Sequence, residues 1–156
     1  MLPEEETTWP QLPGKAFDLT EPQARNLIGD LAERQEAIHE KTGADEGGTF
    51  DLHTHQKIEY RKGYQVSFEL SEAQWKSPEW QARMREMNAI SDDHKAEAGV
   101  YEDWDTGHYT GEISVHVRSR AVALRYAQDH NQQSIYDWAK KDYISSKGTG
   151  SWTRSA

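Results

Sequence analysis

Asp51, His53 and His55 stand at alternate positions in the segment FDLHTHQKIEY. In an extended chain, residues i, i+2 and i+4 project to one face. A carboxylate and two imidazoles would then converge on one point, a donor set suited to Zn or Mn. A cation held there would activate water for hydrolysis. The same alternation also describes the solvent face of an edge strand, where polar residues at every second position are expected. The His-hydrophobic-His strand of relaxases and rolling-circle nucleases is disfavoured by Thr54 in the middle slot and by the acidic balance of the chain.

A second chemistry lies in the carboxylates. Asp30, Glu33, Glu36 and Glu40 recur at three- and four-residue steps, which on a helix is about 4.5–6 Å along the axis, the scale on which phosphates follow one another along a strand. Such a row can imitate a nucleic-acid backbone; its bland counterpart is the hydrated outer face of an amphipathic helix. Glu102, Asp103 and Asp105 surround Trp104. Acids ringing an aromatic form the kind of anchor that an arginine-rich partner recognises.

The charge behind these features is unevenly placed. The chain of 156 residues carries a formal net charge of −9, of which the first 51 residues hold −8 and the remainder −1. Lys and Arg cluster nowhere beyond Arg118, Arg120 and Arg125, so the basic footprint needed to neutralise phosphates is missing, direct nucleic-acid binding is disfavoured and a basic partner is favoured. Cysteine is absent, which excludes disulfides, thiolate metal sites and thiol catalysis. No apolar run approaches the roughly 20 residues of a membrane span, and the first residues lack the basic and apolar regions of a secretory leader. The expectation is a cytoplasmic protein with no membrane association. No phosphate-cradling glycine pattern or nucleophile elbow is present.

The elements that must position these residues follow from pattern. Residues 1–17, with three Pro and the run Glu4–Glu6, read as a flexible acidic arm. Thr20 with Gln23 forms a capping box, Pro22 suits a first turn, and Ala24, Leu27, Ile28, Leu31 and Ile38 follow at helical spacing up to a Gly43 stop. The spacing predicts a helix over 21–41. Tyr64, Val66, Phe68 and Leu70 alternate with polar residues as a strand; Ser71 with Gln74 and Ser77 with Pro78 lead into a helix lined by Trp80, Met84 and Met87. A short strand around Val100–Asp103, a strand through Ile113, Val115 and Val117, a helix capped by Ser119 and a last strand from Ser134 to Trp138 complete the order. Strand, helix, strand, strand, helix, strand is the split βαβ arrangement. The expected fold is α+β: a ferredoxin-like βαββαβ sandwich with an additional N-terminal helix, one domain over 18–144 and a flexible tail over 145–156. Its open sheet face, with Gln65, Ser67, Glu69, Ser114 and His116, lacks the aromatic and basic residues of an RNA-recognition surface.

Two resemblances add to this reading. The hexapeptide DLHTHQ resembles the first metal-binding motif of the polymerase-and-histidinol-phosphatase phosphoesterase family, which implies a metal-dependent phosphoesterase or hydrolase using Asp51, His53 and His55 with Zn or Mn. That family takes further ligands from later strands of a barrel of about 200 residues or more, and about 105 residues follow Asp51 here. The segment from EISVHV through AVALRYAQDHNQQSIYDWAKKDYI, with the closing Gly-Thr-Gly, resembles the end of small uncharacterised proteins carried by phages and mobile elements. Together these observations favour a small acidic non-enzymatic protein, without cofactor, that engages a basic surface of a host protein through Asp30, Glu33, Glu36, Glu40, Glu102, Asp103, Trp104 and Asp105. Inhibition of a defence system, as by anti-CRISPR and antirestriction proteins, is the most concrete form of that expectation, and the metal-dependent hydrolase is its alternative. Trp9, Trp104 and Trp152 could also serve a homodimer interface.

Overall fold

The computed structural model describes residues 19–69, 77–103 and 105–147. The expected arm, Leu70, the Ser71–Gln74 cap, Trp104 and the last nine residues lie outside them. Among the described residues three helices, α1 (Glu21–Thr42), α2 (Ser77–Ile90) and α3 (Arg120–Asp129), accompany seven strands: β1 (Gly48–Asp51), β2 (Lys57–Ile58), β3 (Tyr64–Glu69), β4 (Glu97–Glu102), β5 (Tyr109–Val117), β6 (Ser134–Asp137) and β7 (Asp142–Ser145). The fold is α+β, and every strand pairing is antiparallel.

Helix α1 begins as its sequence requires. Thr20 Oγ1 accepts from the Gln23 amide, Gln23 Oε1 accepts from the Thr20 amide, and Gly43 closes the helix in the left-handed conformation at φ 75°. Its buried stripe of Ala24, Ile28, Leu31 and Ala32 lies on β5 and β4. The approach is close because Gly111 has no side chain: a Cβ there would sit 2.7 Å from Ile28 Cγ2 and 2.9 Å from the Gly99 carbonyl oxygen. Trp80, Met84 and Met87 of α2 and Ala123, Tyr126 and Ala127 of α3 complete a core shared with Val66, Ile113, Val115 and Val117. Val122 of α3 is exposed.

The sheet runs β2-β1-β4-β5-β3-β6-β7, seven strands where pattern predicted four. The additions are the β1–β2 hairpin at one edge and β7 at the other. All three are short, and β2 has two residues, too few to display a period. Ser145, expected in the tail, ends β7, and the next residue, Ser146, is buried with its hydroxyl donating to the Gln132 carbonyl.

Candidate functional site

The Asp51-His53-His55 constellation does not form. Strand β1 ends at Asp51, and the chain turns there: Asp51 Oδ1 accepts from the amides of His53 (2.8 Å) and Thr54 (2.9 Å), and the His55 amide closes on the Asp51 carbonyl. This is an Asx turn, the competing use of an aspartate side chain at a strand end. His55 takes φ 64° and directs Nδ1 to the Arg34 guanidinium at 3.0 Å. The period of two that would have aligned the three side chains is lost after the first. Among the described residues no group of three or more His, Cys, Asp or Glu side chains is placed to hold a metal ion.

The helical carboxylates divide into different roles. Asp30 pairs with Arg34 at 2.8 Å. Glu36 reaches the sheet, where its two oxygens accept from the Tyr109 amide (2.8 Å) and from His108 Nδ1 (3.1 Å). Those bonds, the Tyr109 amide first, hold its carboxyl below the usual range, while Glu36 raises His108. Glu33 and Glu40 are exposed. The four are therefore not equivalent, and the expected outward row is interrupted by Asp30 and Glu36.

The Glu36 contacts nonetheless carry a consequence for charge. They fasten the second half of α1 to the start of β5, and so to the β4–β5 hairpin. Glu40 contributes to the field on His108, and Asp45 and Glu102 to that on the Tyr109 hydroxyl. Asp103 shapes the hairpin by accepting the Asp105 amide at 2.8 Å, and Asp105 itself is exposed. Two acidic segments some 60 residues apart in sequence thus converge at one end of the molecule, with Asp45 and Glu46 between them.

Pattern missed a third arrangement. On the sheet face away from the core, strand register forms two cross-strand rows: Asp51, Glu97, Ser114 and Ser67 in one, and His116, Gln65, Tyr136 and Tyr143 in the other. Ser114, Gln65 and His116 were expected on an open sheet face, yet Ser114 is 1% exposed and both others are buried, and Glu97 beside them is 0% exposed. Tyr60 and Trp138 border them. The Trp138 indole, which can only donate, gives its proton to Gln65 Oε1 at 3.1 Å. The Gln65 amide nitrogen therefore faces Glu97 Oε1 (2.7 Å) and Ser114 Oγ (2.9 Å). Glu97 Oε2 meets the Tyr60 hydroxyl, which also lies 2.7 Å from Asp93 Oδ2. Tyr60 stacks on His116 at 3.8 Å between ring centroids, and His116 Nε2 donates to the Lys62 carbonyl at 2.8 Å. Burial pushes the Glu97 carboxyl up to about 7, with Asp93 and Asp51 adding to the rise against the hydrogen bonds that Tyr60 and Gln65 offer its ionised form.

No protein-family model, curated protein or solved structure matches this chain.

Proposed function

We propose that the chain is a small acidic, non-enzymatic binding protein of phage or mobile-element origin that acts in the cytoplasm on a basic surface of a host protein. The inhibition of a nucleic-acid-binding defence enzyme, in the manner of anti-CRISPR and antirestriction proteins, is its most concrete form. One observation carries the reading: Glu36 anchors α1 to the β4–β5 hairpin, so that Glu40, Asp45, Glu102 and Asp105 gather at one end. Concentrated charge of one sign steers an oppositely charged partner and speeds encounter, and salt screens it. The inner strand order β4-β5-β3-β6, with α2 and α3 as crossovers, supports reading the centre of the sheet as a split βαβ core to which the edge strands are additions. No helix among the described residues is long and apolar enough to cross a membrane, which agrees with a partner met in solution.

The test is capture of a host partner at low and high salt by the wild-type chain, by a Glu33→Lys, Glu40→Lys, Asp105→Lys variant, and by a control with Asp129→Lys, Asp142→Lys and Glu79→Lys. Both variants change net charge equally. A partner lost at high salt and in the first variant, but kept by the control, supports the reading. Equal retention by both variants overturns it.

A further inference from the structure

The sheet face opposite the helices holds a concavity of about 770 Å³, within the range of small-ligand sites. Gly99 lines it. This glycine lies between Thr49 and Glu112 in a third cross-strand row, so a position flanked by side chains carries none. The buried Gln65 and Ser114 lie beside it, both fixed by the hydrogen bonds that Trp138 and Glu97 complete.

Three properties of the walls define what fits. The first is charge: among the described residues Asp45, Glu59, Glu102 and Glu112 line the concavity against Lys57 alone, and Lys57 packs over Gly48 and the Phe50 ring. An anion would be repelled. The second is an aromatic wall. Tyr136 meets Trp138 and Tyr143 edge-on, each at 5.1 Å between centroids, and the outermost ring, Tyr143, is 68% exposed. Edge-to-face packing sets the rings at fixed angles, and a ring face attracts a cation. The third is an oriented carboxylate: Ser67 donates to Glu112 Oε1 at 2.8 Å, and Glu112 lines the same concavity as Tyr143. An oriented carboxylate beside an aromatic face suits a planar cation better than a spherical one, since a guanidinium stacks and forms paired hydrogen bonds where an ammonium does neither.

We propose that this concavity receives an arginine side chain of the partner protein, its guanidinium stacked on Tyr143 and paired with Glu112. The source of the arginine rests on the reading of a basic partner given above; the recognition chemistry does not. Asp45 and Glu102 belong both to the concavity and to the acidic end, so one basic surface can span the two.

The probe is arginine capped at both ends as N-acetyl and N-methylamide, titrated into the full chain by NMR, with capped lysine and capped citrulline as comparators. Citrulline keeps the shape of arginine without its charge. Capped arginine should give saturable shifts at Gly99, Glu112, Tyr143 and the Trp138 indole, bind more tightly than lysine and leave citrulline without effect. Glu112→Gln should weaken it about tenfold, the size of one lost charge-assisted contact. Gly99→Val provides a second variant that puts a side chain into the depression, where a Cβ meets Glu112 Cγ at an ordinary 3.7 Å, and it should abolish binding. Absence of saturable shifts, equal response to citrulline, or binding indifferent to both substitutions overturns the proposal. The Glu33, Glu40 and Asp105 reversals should leave capped-arginine binding in place. If arginine binds while those reversals fail to weaken partner capture, the acidic end falls and the concavity stands; the converse result removes the concavity alone.

Discussion

Three oxygens in line, Asp93 Oδ2, Tyr60 Oη and Glu97 Oε2, need two protons to be hydrogen-bonded throughout, and a phenol supplies one. The second belongs on Glu97, which is fully buried and has its carboxyl raised to about 7. Glu97 then donates to Tyr60, Tyr60 donates to Asp93, and Gln65 donates to the remaining Glu97 oxygen. Tyr60 keeps its own proton, because burial first and Glu97 next raise its hydroxyl well above the ordinary tyrosine range. A carboxyl with a folded pKa above its unfolded one holds a proton where the unfolded chain has released it. Stability is therefore full below about 4.5, falls as pH rises from there to about 7, and changes no further. At about 1.4 kcal/mol per unit the loss is on the order of 3 kcal/mol. Gln at this position reproduces the protonated form, with an oxygen toward Gln65 and an amide toward Tyr60. Glu97→Gln should match the wild type in urea unfolding near pH 5, exceed it at pH 8 and lose the slope between them. An undiminished slope in the variant would place the titrating group elsewhere.

The elements show which parts of this fold can be read from sequence. Helix α1 was legible because its cap, stripe and stop are all local, within 24 residues of chain, and the same holds for the alternation of β3 and β5. Pattern also placed Gly43 correctly. It failed at Asp51, where a side chain bonded to backbone two and three residues ahead broke the strand, and a period-two motif gives no sign of that competition. It gave no sign of Glu97, which lay ahead of the strand expected around Val100–Asp103 and is buried only because the register sets it against Ser114 and beside Gln65. Burial of a polar row is a property of partners, and sequence does not name them. Gly111 belongs to the same class: nothing in TGEISV marks its glycine as the seat of α1, yet Ile28 fits against it. Gly111→Ala should destabilise by about 1–3 kcal/mol, the usual range for overpacking, because the Gly99 carbonyl cannot yield. Gly29→Ala, the same chemical change on α1 where nothing lies within 4 Å, should stabilise by about 0.5–1 kcal/mol through helix propensity. Chemical denaturation of the two variants, expected to move in opposite directions, separates close packing from any general effect of losing a glycine.

At the scale of the whole molecule, the charge that favours recognition also weighs on the fold. A formal charge of −9 at neutral pH, nearly all of it in the first 51 residues, produces self-repulsion that fades toward the isoelectric point near 5.2. Two titrating groups pull the same way. Glu97 favours the folded state at lower pH, as argued above. His108, raised by Glu36, contributes stability that is present below 6.5 and is lost as pH climbs through its folded value. Glu36, lowered by the Tyr109 amide and then by His108, contributes above 4.5 and is lost as pH falls through its folded value. His130, like Glu36, opposes Glu97 and His108: burial first and Arg83 next hold it below 6.5, so the fold gains as pH rises toward that value. Its side chain keeps 14% of its surface exposed, whereas Glu97 keeps none, so Glu97 and the net charge prevail. Thermal unfolding followed from pH 4 to pH 9 should show a maximum at mildly acidic pH, about 5, with a decline toward neutrality that Glu97→Gln flattens. A melting temperature that instead rises steadily to pH 8 would mean that the acidic end is held together by cations or contacts strong enough to cancel its own repulsion, and a surface neutralised in that way would have no field left with which to draw a basic partner.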